Sequence, residues 1–323
     1  MRTHIIAVAV YLVTSVVLAQ HAVPTKATFV VRDDAGQAVT AVAIDGGFGD
    51  VSQSGARDRF NGLTDTNGMF AATGNAILDV GARFKKDGYY QSIKSVPVDR
   101  ARRESGLRWD VEIPVLLKRI RNPIPMYFNR VDNFSFDHFE RVGKYCLGRT
   151  SSYDFVTGAF LPPSGTGSRA DVQFTWSMKI YATNRIGRAL EYDSRSKIEM
   201  TNVMDGICKG KPDGVIGGEG SSCISAYEAP ADGYTNAITL YRNVRGRNAE
   251  SNDDQHQLYY FRIRTQTNEM GQVTNALYGK IYGQINGNFT YYLNPTPNDR
   301  NVEFDPSNNL FKNLRSAEQV REP

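Results

Sequence analysis

The chain has 323 residues, 41% of them hydrophobic and 22% charged, with a net charge of +4. That is room for about two ordinary domains with packed cores. So mild a positive charge excludes the dense basic stripe expected of a nucleic-acid binder.

Arg2 opens a short positive start, and Ile5 to Leu18 is almost uninterrupted apolar sequence. Val17-Leu18-Ala19 places small residues at a cleavage position, so residues 1–19 read as a secretory signal cut after Ala19. No later stretch approaches the roughly 18 apolar residues of a membrane span. The expected location is extracytoplasmic, periplasmic or secreted, with no membrane span once the signal is removed.

Residues 24–117 read as a first β-sandwich. Phe29 and Val31 share one strand face, and Asp33-Asp34-Ala35-Gly36 supplies a turn. Ala38 to Ile44 is a second predicted strand, Asp65-Thr66-Asn67-Gly68 a tight turn, and Leu78 to Phe84 an alternating segment. Arg100, Arg102, Arg103 and Arg108 form a small basic cluster, read as solvated loop. Leu107, Trp109, Val111, Ile113, Val115 and Leu117 then alternate with mostly polar neighbours, giving one apolar and one wet face. Pro114 lacks an amide donor, which predicts an edge strand or a local break.

These segments carry a resemblance. Thr28 to Asp33 with the Gly36 turn, the hairpin Gly62-Leu63-Thr64-Asp65-Thr66-Asn67-Gly68-Met69-Phe70, and Lys86-Asp87-Gly88-Tyr89-Tyr90 together resemble the carboxypeptidase regulatory-like domain. The resemblance spans residues 26 to 118 and implies a transthyretin-like or Ig-like sandwich that acts as an accessory module. No H-x-x-E or H-E-x-x-H zinc pattern accompanies it, so it does not imply a peptidase.

Residues 118–126 carry Pro123 and Pro125 and read as a stiff connector. Residues 127–312 form a second β-rich domain, and 313–323 a tail. Val172, Phe174, Trp176, Met178 and Ile180 alternate cleanly, as do Tyr259, Phe261 and Ile263. Leu277, Gly279, Ile281, Gly283 and Ile285 share one strand face; Tyr278, Lys280, Tyr282 and Gln284 share the other. Asn133 to Tyr145 and Lys312 to Glu322 are the only predicted helices. Lys118 to Met126, Tyr278 to Gly283 and Tyr291 to Asn301 resemble the C-terminal region of secreted bacterial proteins bearing the same N-terminal module; no activity comes with that likeness. The expected fold class is therefore all-β, two β-sandwich domains in series.

Candidate chemistry is sparse. Beyond the leader, His21, His138 and His256 are scattered without metal-ligand spacing. Gly214 to Gly220 is glycine-rich but lacks the following helix and Lys-Ser/Thr of a phosphate cradle, so it reads as a flexible loop. In an oxidising compartment Cys208 and Cys223 are the expected disulfide, closing a loop worth about 3 kcal/mol, with Cys146 left unpaired. If extended, Asp299, Asn301, Glu303 and Asp305 would share a face suited to Ca²⁺, the one cofactor considered. Tyr278, Tyr282, Tyr260 and Tyr292 are the candidate ligand face: tyrosine joins a flat apolar ring to a hydrogen-bonding tip. A glycan or another envelope component is the matching partner, and sheet packing is the competing reading. The leading expectation is a noncatalytic binding or envelope-assembly protein. One alternative is a hydrolase using two of Asp154, Asp171, Glu303 and Asp305 at roughly 5–10 Å separation; the other is a purely structural envelope protein.

Overall fold

The computed structural model describes residues 22–49, 58–131, 139–142, 144–148, 150–215, 218–285, 289–312, 314, 316 and 323. The expected leader, His21, His138 and most of the tail lie outside these residues.

Alternation of small and branched apolar residues builds the first sandwich. Its strands are β1 (Val23–Arg32), β2 (Ala43–Phe48), β3 (Asp58–Leu63), β4 (Met69–Ala76), β5 (Asp79–Lys85), β6 (Ser92–Pro97) and β7 (Trp109–Leu116). One sheet runs β4-β1-β7, the facing one β6-β5-β2-β3. Phe29, Ile44, Phe84, Ile113 and Val115 fill the space between them. Pro114 sits on β7 at the edge of its sheet, where a missing donor costs no ladder bond.

Two predicted details differ. The second strand starts at Ala43 rather than Ala38, because Ala41 adopts φ 51° and the Thr64 hydroxyl bridges the Val39 carbonyl and Val42 amide. Arg100, Arg102 and Arg103 of the basic cluster lie on a short helix, α1 (Arg100–Ser105), closed by the Asp99 cap and Gly106, with Arg100 paired to Glu104 and Arg102 to Asp99.

The second unit contains β8 (Ile124–Val131), β9 (Phe139–Val142), β10 (Tyr145–Gly148), β11 (Ser151–Asp154), β12 (Ala159–Phe160), β13 (Val172–Thr183), β14 (Ala189–Met200) and β15 (Gly206–Gly210). It continues with β16 (Gly220–Ser221), β17 (Ala237–Arg245), β18 (Asn248–Ser251), β19 (Leu258–Thr267), β20 (Val273–Gly283), β21 (Phe289–Leu293) and β22 (Phe304–Asn309). Strand, not helix, occupies the described part of 133–145: β9 and β10 form a hairpin.

An eight-stranded sheet runs β12-β11-β13-β14-β17-β18, with β10 on β13 and β9 on β10. A six-stranded sheet runs β15-β19-β20-β21-β8-β22. Phe155, Phe174, Ile198, Phe261, Ile281 and Tyr291 pack between them. Phe155 and Phe261 stack at 4.6 Å, and Gly279 leaves room for Phe261, whose ring a Cβ there would meet at 2.3 Å.

The other face of the six-stranded sheet is covered too. Met126, Phe128, Tyr260, Tyr278, Tyr282 and Tyr292 lie beneath Ile224, Ala229, Val302 and Phe304. The second unit is thus a sandwich with a third, irregular layer. The glycine-rich segment does not stay a free loop: Gly220 and Ser221, as β16, pair with Ile93 and Ser92 on β6 of the first sandwich. An open sheet edge is a template for such pairing.

Candidate functional site

The four predicted ligand tyrosines share a face, but that face is interior. Tyr278, Tyr282, Tyr260 and Tyr292 are each less than 7% exposed. They pack on one another and on Phe128 and Phe304, so the expectation of an open aromatic face at these positions is corrected. Packing wins because Ile224, Ala229, Tyr234 and Val302 cover this face, cover that no strand-level alternation reveals.

The polar centre of this layer is Lys280. Its ammonium is fully buried, donates to Ser225 Oγ at 2.9 Å and lies 4.6 Å from the Tyr292 ring centre. Burial pulls it down to about 8. Lys118, also buried, donates to Asp213 at 2.8 Å and to the Ser225 carbonyl at 2.5 Å. This Ser-Lys contact escaped the sequence reading, since Ser225 and Lys280 lie 55 positions apart. Geometrically it matches an activated serine, but Ser225 is wholly buried.

The candidate carboxylates are occupied. Asp154 accepts from the amides of Val156, Thr157, Ser168 and Arg169 and from Arg264 Nη2 at 2.8 Å. These bonds hold its carboxyl below the usual range against the opposing effect of burial. Asp171 accepts from the Phe155 amide and from Arg264 Nε at 3.1 Å; its burial dominates and pushes its carboxyl up. The structure therefore brings Asp154 and Asp171 together, but on one guanidinium and with no accessible face.

Glu303 and Asp305 lie elsewhere. Glu303 is buried and accepts from Tyr90 Oη at 2.7 Å and from the Arg121 and Asn122 amides at 2.9 and 2.7 Å. Asp305 accepts from the Ser307 amide and the Asn308 side chain.

The same bonds undo the calcium arrangement. Asp299 accepts from the Asn301 amide and Asn301 accepts from the Glu303 amide, so the run turns instead of extending. Asp299, Asn301, Glu303 and Asp305 do not converge. Among the described residues, no three acidic, histidine or cysteine side chains gather as a metal site.

Cys208 and Cys223 are both free, as is Cys146. This corrects the expected bridge. Cys208 sits on β15 beside Tyr260, whereas Cys223 is buried under the irregular layer and directs its thiol to the Ser225 carbonyl at 3.8 Å.

An exposed aromatic face exists on the eight-stranded sheet. Odd positions of β13 and β14 point away from the core, because even positions such as Phe174 and Ile198 point into it. The result is an outer surface carrying Tyr145, Lys179, Tyr181, Asp193, Arg245 and Tyr241 from four adjacent strands. Tyr145 and Tyr181 are 48% and 41% exposed. Lys179 Nζ lies 5.7 and 5.1 Å from their ring centres, and the Arg245 guanidinium 4.0 Å from that of Tyr181. Tyr181 donates to Asp193 at 2.8 Å, and Arg245 pairs with the same carboxylate at 2.8 Å. The Tyr181 hydrogen bond, with Arg245 adding to it, holds the Asp193 carboxyl low. Tyr241 donates to Glu250 at 3.1 Å. The rings are thus clamped in place by charge contacts while their surfaces meet solvent.

Comparison with protein-family models and with curated proteins finds no match. Among solved structures, 3-chlorocatechol 1,2-dioxygenase from Rhodococcus opacus 1CP has 12% identity, covers 32% of this chain and 62% of its own, and gives a TM-score of 0.24. A streptococcal ancillary pilin has 12% identity, 67% and 58% coverage, and a TM-score of 0.22. A DUF3823 family protein from Parabacteroides merdae has 9% identity, 88% and 100% coverage, and a TM-score of 0.21. The chain thus spans less than two thirds of the first two of these proteins. Likenesses this low transfer no function.

Proposed function

We propose that this is a noncatalytic, extracytoplasmic binding or assembly protein that contacts a glycan through the outer face of its eight-stranded sheet. The observation that carries this reading is the row Tyr145, Lys179, Tyr181 and Arg245, two exposed rings locked beside two cations. Such rings offer flat apolar stacking area at little entropic cost, and the charges orient the hydroxyls of a bound sugar. The apolar N-terminal leader supports export. No helix among the described residues is long and apolar enough to cross a membrane. The first sandwich, by its resemblance to the carboxypeptidase regulatory-like domain, serves as the accessory spacer. The hydrolase alternative draws no support from Asp154, Asp171 and Glu303, which are sealed in internal hydrogen bonds.

A glycan array on residues 20–323 tests this reading. Selective binding is expected, weakened about tenfold by Tyr181→Ala or Tyr145→Ala, in line with the roughly 0.5–1.5 kcal/mol of an aromatic contact. Binding unchanged in the double variant, or no binding at all, would remove the proposal.

A further inference from the structure

The β13–β14 hairpin outgrows its sheet. Among the described residues, β10 accompanies β13 only as far as Lys179, and β17 accompanies β14 only from Tyr192 onward. Beyond those points the two strands pair with each other, so Tyr181 to Glu191 stands as a finger past the end of the sheet. At about 3.3 Å per residue it projects roughly 10 Å. A tight turn closes it. The Gly187 amide donates to the Asn184 carbonyl at 3.0 Å, and the Asn184 side chain accepts from the Ile186 and Arg188 amides at 3.1 and 2.9 Å. Ile186 is thereby held at the tip, 76% exposed, with Leu190 52% exposed on the same finger.

The same turn, with the same side-chain clamp, recurs around Asp33, Asp65 and Asn268. Ala35, Asn67 and Met270 hold the place of Ile186 in those turns, so the turn itself does not demand a large branched apolar side chain. Met270 matches Ile186 in exposure, at 78%, but its neighbour is Glu269. The neighbours of Ile186 are cations. Arg185 and Arg188 flank it, and Lys144 and Arg247 stand in the turns of the two adjoining hairpins, β9–β10 and β17–β18. Both turns lie against the finger's base. The Lys144 carbonyl accepts from the Ile180 amide at 2.7 Å, and the Gly246 amide donates to Glu191 at 3.1 Å. All four cations are exposed, and none of them forms an ion pair with a carboxylate among the described residues. Asp193, the next carboxylate along β14, already pairs with Arg245.

Charge and apolarity together select one occupant. A soluble polyanion would use the cations and leave Ile186 and Leu190 in water. A bilayer of anionic lipid uses both, because apolar side chains enter the acyl boundary while Lys and Arg stay among the phosphates. We infer that the β13–β14 finger docks the protein peripherally on an anionic lipid surface, with Ile186 inserted and Arg185, Arg188, Lys144 and Arg247 at the headgroup phosphates. The inference does not rest on the glycan reading, which uses the flat outer face of the sheet rather than its end.

Co-sedimentation of residues 20–323, which lack the apolar leader, with lipid vesicles tests it. Vesicles of phosphatidylglycerol and phosphatidylcholine in equal parts should bind at least tenfold more tightly than phosphatidylcholine alone. Each cation near an anionic surface is worth about fivefold, so Arg185→Ser with Arg188→Ser should weaken binding at least tenfold. Ile186→Asn should weaken it at least fivefold through lost apolar burial; asparagine is what the Asp65 turn carries at that place, so the fold is kept. Met270→Asn should leave binding unchanged, because that tip has no cations beside it. Tyr145→Ala should also leave it unchanged, which reads this site separately from glycan binding on the outer face. Absence of binding to the phosphatidylglycerol vesicles, equal binding to phosphatidylcholine alone, or full binding in Ile186→Asn would overturn the inference. The last result would mean that the cations meet a polyanion without insertion.

Discussion

Lys280 shows how much one buried charge decides. Its ammonium faces Ser225, Cys223, Glu303 and the second cation Lys118, with the rings of Tyr282 and Tyr292 around it. Folding lowers it from the model-peptide value of 10.5 to about 8, because the charged form is desolvated. Between those values the unfolded chain holds the extra proton, so stability rises with pH there. Below pH 8 the full penalty applies, about 3 kcal/mol at 1.36 kcal/mol per unit. Lys280→Met removes the titration. Urea unfolding from pH 7.5 to 10.5 should show wild type gaining about 3 kcal/mol relative to Lys280→Met across that window. A constant difference would contradict the burial of the charge. The alternation of β20 correctly puts Lys280 on a face with Tyr278 and Tyr282. What hides its burial is the cover, supplied by Ser225 and Val302 far along the chain.

At the scale of the element, the informative strand is β19. Its pairing with β20 slips between Ile263 and Gln266, and Arg264 takes φ 56° at the slip. A side chain in that left-handed region costs about 1–2 kcal/mol. The bulge turns Arg264 onto Asp154 and Asp171, while its amide and that of Thr265 donate to Asp205. Bulges re-aim side chains in this way. Arg264→Gly relieves the backbone but strands two buried carboxylates, and breaking such a pair costs about 3–5 kcal/mol. The net loss should be about 2–4 kcal/mol, and Arg264→Leu, which keeps the strain, should lose about 1 kcal/mol more. Chemical denaturation measures both; the reverse order would contradict strain at this residue. The apolar periods of 172–180 and 259–263 were readable locally, because each strand must bury alternate side chains. The carboxylates' role was not, since Asp154, Asp171 and Arg264 meet only through three-dimensional pairing.

The whole molecule is held together by groups that the sequence offers as reactive. Glu303, a candidate both for catalysis and for calcium, instead accepts from Tyr90 of the first sandwich and from two connector amides. Around it, Lys118 reaches Asp213 and Ser225, and Arg119 and Arg121 pair with Asp33 and Asp34. Tyr227 donates to the Arg119 carbonyl at 2.7 Å. With β16 completing the first sandwich's sheet, the connector is a seam rather than a tether. Its two prolines announce stiffness; they say nothing of Glu303, which arrives about 180 positions later.

The central claim is therefore that buried polar groups weld the two sandwiches into one body. Calorimetric unfolding of wild type and Glu303→Ala tests it most directly. Wild type should unfold in one cooperative transition. Loss of three buried hydrogen bonds, at about 1 kcal/mol each, should cost Glu303→Ala about 3 kcal/mol and split its transition into two, the first at lower temperature. A Glu303→Ala trace identical to wild type would contradict the weld and return Glu303 to the list of free acids.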